Sequence, residues 1–194
     1  MSAILEVVSF VAPEGYTDNQ ELLKPALDAF QASTMPIKAW YGVQHEDKNK
    51  GFLAFLWGSQ SSVASPASRQ VYEEVISRGH TVLVQVDASS ISEALDAPAT
   101  EFAWAKLKSP SNREPLNDLT AGLVQKLGSS KGCFGGTFGP VLDATDGEGD
   151  TVAIVIGWEN PETHAETVKG DPEVGKLFEL SDLHLYHVYF KGLV

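Results

Sequence analysis

The chain holds five histidines, the side chains best suited to move protons near neutral pH. His164 ends the run Trp158-Glu-Asn-Pro-Glu-Thr-His164. At the mouth of a cleft it could act as a general base toward an acidic phenol or enol. It could also ligate haem iron, or be a solvated or capping residue before a helix. His184, Tyr186, His187 and Tyr189 share one short segment near the C-terminus. In a strand, His184 and Tyr186 lie on one face, and His187 and Tyr189 on the other. One His–Tyr pair is therefore expected toward the helices and the other toward the interior. Either pair is a candidate acid–base couple, or a polar core pair satisfied by hydrogen bonds. Being on opposite faces, His184 and His187 do not make a metal site by themselves. His45 lies in the charged segment HEDKNKG and is expected to be solvated; His80 follows Gly79 and is expected to be structural.

Aromatic residues form a second candidate set. Trp57, Trp104, Trp158 and Tyr41 could wall a ligand cleft, or pack in the core with each indole N–H bonded locally. The chain has no GxSxG, HExxH or CxxC pattern, and Gly132–Gly139, GCFGGTFG, does not match a phosphate loop. A bulged or kinked strand beside a ligand is the expectation for that run. Neither a metal nor a cofactor is expected from these patterns. The single cysteine, Cys133, has uncharged neighbours and reads as a packed thiol.

Composition narrows the partners. Lys plus Arg is 14 against 26 for Asp plus Glu, a net charge of −12, and no basic run occurs. Nucleic acid and anionic membranes are thus poor partners. One cysteine allows no internal disulfide, which suits a reducing compartment. The first apolar run is short and contains Glu6, so it reads as a strand and not a signal peptide. A soluble cytoplasmic protein is expected.

The elements that must carry these residues come in a repeated order. Ile4–Val11, Ile37–Val43, Phe52–Trp57 and His80–Val86 read as strands. An amphipathic helix with Leu22, Leu23, Ala26, Leu27 and Phe30 follows a capping-box-like Asp18/Glu21 pair. A second helix is expected after Ser65-Pro66, with Val71, Tyr72, Val75 and Ile76 on its buried face. Asp87–Ala99 reads as a small-residue linker with room for a short helical turn. The order then restarts. Glu101–Leu107, Phe134–Leu142, Thr151–Trp158 and His184–Phe190 are strands. Helices are expected after Ser111/Glu114, with Leu116 to Leu127 on one face, and after Asp171-Pro172. The loops His45–Gly51 and Asp143–Asp150 are charged hairpins.

Caps, prolines and tryptophans thus recur about 100 residues apart, the size of one small domain. The division expected is 1–88, a linker at 89–99, and 100–194. Each half is a βαββαβ, ferredoxin-like unit. Strand residues such as Phe52, Leu53, Ala54, Phe55 and Leu56 are apolar on both sides, so an open sheet face would be a liability. The two sheets are therefore expected to pack on each other with helices outside, in an α+β pseudo-dimeric barrel within one chain, and as a monomer.

An apolar third strand ending in Trp, a polar turn and a histidine resembles the dimeric α/β-barrel superfamily. Trp158 to His164 is similar to the Trp–acidic turn–His signature of its antibiotic-biosynthesis-monooxygenase and stress-responsive members. Trp57-Gly-Ser-Gln-Ser matches only the Trp and small polar residues, and Val63 stands where His164 would be. The resemblance implies a cleft between sheet and helices. It also implies an enzyme or binding protein for a hydrophobic, aromatic or polyketide-like molecule, of cofactor-independent monooxygenase or cyclase type. Under that reading His164 is the acid/base, His187 or His184 assists, and Trp158 and Trp104 line the cleft. A non-catalytic stress-type scaffold and a haem-binding barrel are the alternatives the same resemblance leaves open.

Overall fold

A computed structural model describes residues 2–63, 65, 70, 77–142 and 150–193. The helix expected after Ser65-Pro66 and most of the acidic loop after Leu142 lie outside those residues. The strands are β1 Ser2–Val11, β2 Lys38–Gln44, β3 Lys50–Trp57, β4 Ser77–Asp87, β5 Ala99–Leu107, β6 Cys133–Pro140, β7 Thr151–Trp158 and β8 Ser181–Gly192. The described α-helices are α1 Lys24–Thr34, α2 Ala88–Leu95, α3 Arg113–Leu127, α4 Pro161–Val168 and α5 Pro172–Leu180.

The strands form one eight-stranded antiparallel sheet in the order β4-β1-β3-β2-β8-β5-β7-β6. Each half is a ferredoxin-like quartet. The halves join edge to edge where Gln44 of β2 pairs with Val188 of β8. At the other edge a Val84–Val141 bridge, with the Leu142 amide donating to the Leu83 carbonyl at 2.8 Å, brings β4 to β6 and nearly closes the barrel. The two halves are thus one curved sheet whose inner faces pack on each other. Edge pairing removes two exposed strand edges as well as two open faces. Among the described residues no helix is long and apolar enough to cross a membrane.

Strand alternation explains why both faces are apolar. Leu5, Phe52, Val84, Phe102, Val155 and Tyr186 point into the barrel. Ile4, Leu53, Phe55 and Trp57 meet α1 through Leu27 and Phe30. Ile154, Ile156 and Trp158 meet α3 and α5 through Leu116, Leu123 and Leu177. Each such side chain contributes about 1.5–3 kcal/mol on burial.

Several expectations need correction. The helical turn in the stretch between the halves extends to a helix: α2, capped by Asp87, plugs one end of the barrel with Ile91, Ala94 and Leu95. Gly157 makes room for it, since a Cβ there would come within 2.8 Å of Ala94 Cα. Asn19, not Asp18, caps a short 3-10 turn, Gln20–Leu23, that leads into α1, whose own N-cap Leu23 makes no side-chain bond. Ser111 and Glu114 make no capping box; another 3-10 turn, Pro110–Asn112, leads into α3. The glycine run does contain a bulge between Cys133 and Gly136. Beyond the bulge the run comes close to β4: a Cβ on Gly139 would lie 1.7 Å from the Gln85 carbonyl oxygen.

Candidate functional site

The residues singled out from the sequence divide between the two faces of β8. His187 and Tyr189 face the helix side, and His184 and Tyr186 face the barrel interior.

On the helix side, the residues after Trp158 fold as α4. Asn160 caps it, its Oδ1 accepting from the Thr163 amide at 2.7 Å, and Pro161 occupies the first turn. This cap aims His164 back at the sheet, where it stacks on Trp158 with ring centroids 5.2 Å apart. His164 Nδ1 lies 3.0 Å from His187 Nε2, and His164 Nε2 lies 3.5 Å from Glu101 Oε2. The Trp158 indole donates to that same carboxyl oxygen at 2.7 Å. At the other end Glu46 Oε1 sits 2.6 Å from His187 Nδ1, and both Glu46 oxygens accept from the His187 amide. The result is a continuous chain, Glu46–His187–His164–Glu101–Trp158.

Burial sets its electrostatics. Desolvation pushes the Glu101 carboxyl up to about 7, against a smaller pull from the Trp158 bond. Desolvation, helped by His187, pushes His164 down to about 4. Around neutrality His164 is therefore uncharged, and Glu101 keeps its proton to a higher pH than an ordinary carboxyl does. Burial also acts on Glu46, but its hydrogen bonds from the His187 ring and amide outweigh that and hold it below the usual range.

Sequence reasoning found His164 and His187 but missed Glu101 and Glu46. Glu101 had a signal: a carboxylate inside an apolar strand, echoing Glu6 in β1. The structure shows the echo fully, with the Trp57 indole donating to Glu6 Oε2 at 2.9 Å. Glu46 had none, because it reaches His187 only through the β2–β8 junction. The same junction corrects the expectation for His45, which is half-buried and lies 2.7 Å from the Tyr189 hydroxyl.

Trp57 and Trp158 are fully buried and Tyr41 packs in the first core. Haem does not fit at His164: both ring nitrogens face other side chains within 3.5 Å, and Trp158 covers one ring face.

The interior holds open space instead. A cavity of about 650 Å³ opens at the barrel end away from α2. Val7, Phe52, Val82, Trp104 and Tyr186 form its apolar wall. The Trp104 indole donates to the Tyr186 hydroxyl at 3.0 Å and so fixes the orientation of that oxygen. Lys50, Lys106, His80, His184, Asp182 and Gln44 also line it. Lys50 and Lys106 have no ion-pair partner among the described residues, although the chain carries 26 acidic side chains. Gln44 is buried, and its Oε1 meets no donor among the described residues. Buried acceptors are normally satisfied, so this one marks a place for a ligand or water donor.

No protein-family model and no curated protein sequence matches the chain. Solved structures do. A provisionally assigned monooxygenase from Lactobacillus acidophilus NCFM is similar over 100% of this chain and 97% of its own, with a TM-score of 0.67 at 8% identity. An anthrone oxidase-like protein covers 98% of this chain and 93% of its own, with a TM-score of 0.67 at 13% identity. A provisionally assigned chlorite dismutase covers 98% and 95%, with a TM-score of 0.64 at 11% identity. At such identities the likeness is one of fold. The chain thus has the fold of dimeric α/β-barrel proteins, with both halves of the barrel carried in one polypeptide.

Proposed function

We propose that the chain binds an acidic, hydroxylated aromatic small molecule in the barrel-end cavity and acts on it by proton abstraction. Cofactor-independent oxygenation and cyclisation both begin with that step. The observation that carries the reading is the cavity: an apolar wall of Phe52, Trp104 and Tyr186 with cationic and polar residues around it. Its volume suits a ligand of two or three fused rings. Trp104 and Phe52 offer faces for stacking. Lys50 and Lys106 would hold a phenolate or carboxylate, and Gln44 Oε1 would accept from a ligand hydroxyl. His184 would take the proton, because an exposed imidazole opposite Trp104 can exchange it with solvent. The monooxygenase- and oxidase-like descriptions of the structural neighbours are compatible with this reading.

Two measurements test it. Calorimetry with 1-hydroxy-2-naphthoate should give one site. Lys106→Met should weaken it about three- to five-fold, the worth of a partly exposed charge pair, and Val82→Trp, which fills the cavity, should abolish it. Exchange of the anthrone C–H protons in D2O should be accelerated by the protein, and His184→Ala should slow it about a hundred-fold. Binding that survives Val82→Trp overturns the site. Binding without exchange replaces catalysis with a non-catalytic carrier.

A further inference from the structure

The helix-side chain of the second half is separate from that cavity. We propose that Glu101, His164 and His187 form a three-ligand centre for a borderline divalent cation of the Zn2+ class. One oxygen of Glu101 and one ring nitrogen from each histidine lie within 4.8 Å of one another, and all three residues are buried. Two imidazole nitrogens with one carboxylate oxygen is a donor set that Zn2+ accepts and that Mg2+ and Ca2+ do not favour. Three protein ligands leave a fourth tetrahedral position for water.

The molecule contains its own comparison. Both halves keep the buried Glu–Trp pair: Glu6 with Trp57, and Glu101 with Trp158. That pair therefore belongs to the architecture. The residues around it differ. β4 sets Leu83 opposite Glu6, whereas β8 sets His187 opposite Glu101. The first half has Val63, packed on its core, where the second has His164. Two apolar positions in one half are imidazoles in the other, and both imidazoles converge on the carboxylate. Packing alone does not ask for this, because the first half packs without it.

The surroundings fit as well. Metal-bound histidines commonly donate their second ring N–H to a carboxylate, which orients the ring. Glu46 takes that place at His187 Nδ1, at 2.6 Å, leaving Nε2 turned toward His164. The Trp158 indole holds Glu101 Oε2 in the same way. A bound cation would compete with protons for the same donor atoms, so its uptake releases protons to solvent. The site is composite, since Glu46 comes from the first half.

The test is metal titration of the whole chain after chelator treatment and dialysis. Zn2+ calorimetry should show one equivalent, and Co2+ should give the visible absorption of a four- or five-coordinate site. His164→Val and His187→Leu, which install the first-half residues, should each lower affinity more than a hundred-fold. Glu46→Gln should lower it about ten-fold, as expected for a lost orienting carboxylate. His184→Ala should leave the titration unchanged, so the outcome is independent of the cavity reading. The proposal is overturned if the chain takes up no Zn2+ or Co2+ at 100-fold excess, or if affinity survives His164→Val and His187→Leu. Should either of those variants fail to fold by circular dichroism, the partly exposed Glu46→Gln decides: an unchanged affinity sinks the centre.

Discussion

The buried Glu101–His164 pair makes a prediction about stability and pH that the wild-type protein hides. In the unfolded chain Glu101 titrates at its ordinary 4.5 and His164 at 6.5. Folding moves the carboxyl up to about 7 and the imidazole down to about 4. Between these limits the unfolded pair is carboxylate plus imidazolium, and the folded pair is carboxylic acid plus neutral imidazole. Both forms hold one proton, so the pair contributes almost no slope to stability against pH. Each partner alone contributes a steep one. A raised carboxyl pKa stabilises most below 4.5, and that contribution is lost as pH rises to about 7. A lowered imidazole pKa stabilises most above 6.5, and that contribution is lost as pH falls to about 4. Each shift is worth about 3 kcal/mol at 1.36 kcal/mol per pH unit. Urea unfolding followed by circular dichroism, in EDTA, reads this directly. Relative to wild type, Glu101→Gln should gain about 3 kcal/mol as pH rises from 4.5 to 7. His164→Val should lose about 3 kcal/mol from pH 4 to 6.5. Differences of the same sign, or differences that stay flat with pH, would refute the neutral-pair assignment.

Other consequences can be checked in the same way. Gly139→Ala should lower stability by about 3 kcal/mol or more, because the new methyl collides with the Gln85 carbonyl; amide exchange at Leu142 should quicken with it. Asn160→Ala should cost about 1 kcal/mol through the lost cap on the helix that presents His164. Asp96→Ala should cost about 1–2 kcal/mol, since Asp96 accepts from the Trp40 indole and from Lys38, each at 2.8 Å, and ties the end of α2 to β2. Added haem should give no Soret band dependent on His164. Sedimentation should find a single 20.9 kDa chain, because β2–β8 pairing and the β4–β6 approach already use the edges a partner would need.

Much of the fold was legible in the residues themselves. Alternating and continuous apolar runs, prolines at helix starts, and Trp57 echoed by Trp158 indicate two ferredoxin-like halves, because strand and helix periods are local properties of the chain. The division of β8 into a His184–Tyr186 face and a His187–Tyr189 face also follows from alternation alone. Which face met which layer did not. Nor did the meeting of Glu46 with His187, which are 141 positions apart, or the burial of Glu101 beneath Trp158. Those depend on β2 pairing with β8 and on α4 folding back over the sheet. Side-chain periodicity specifies which residues share a surface; only the packing of one surface on another specifies which charges lose water, and desolvation is what makes this pair of groups unusual.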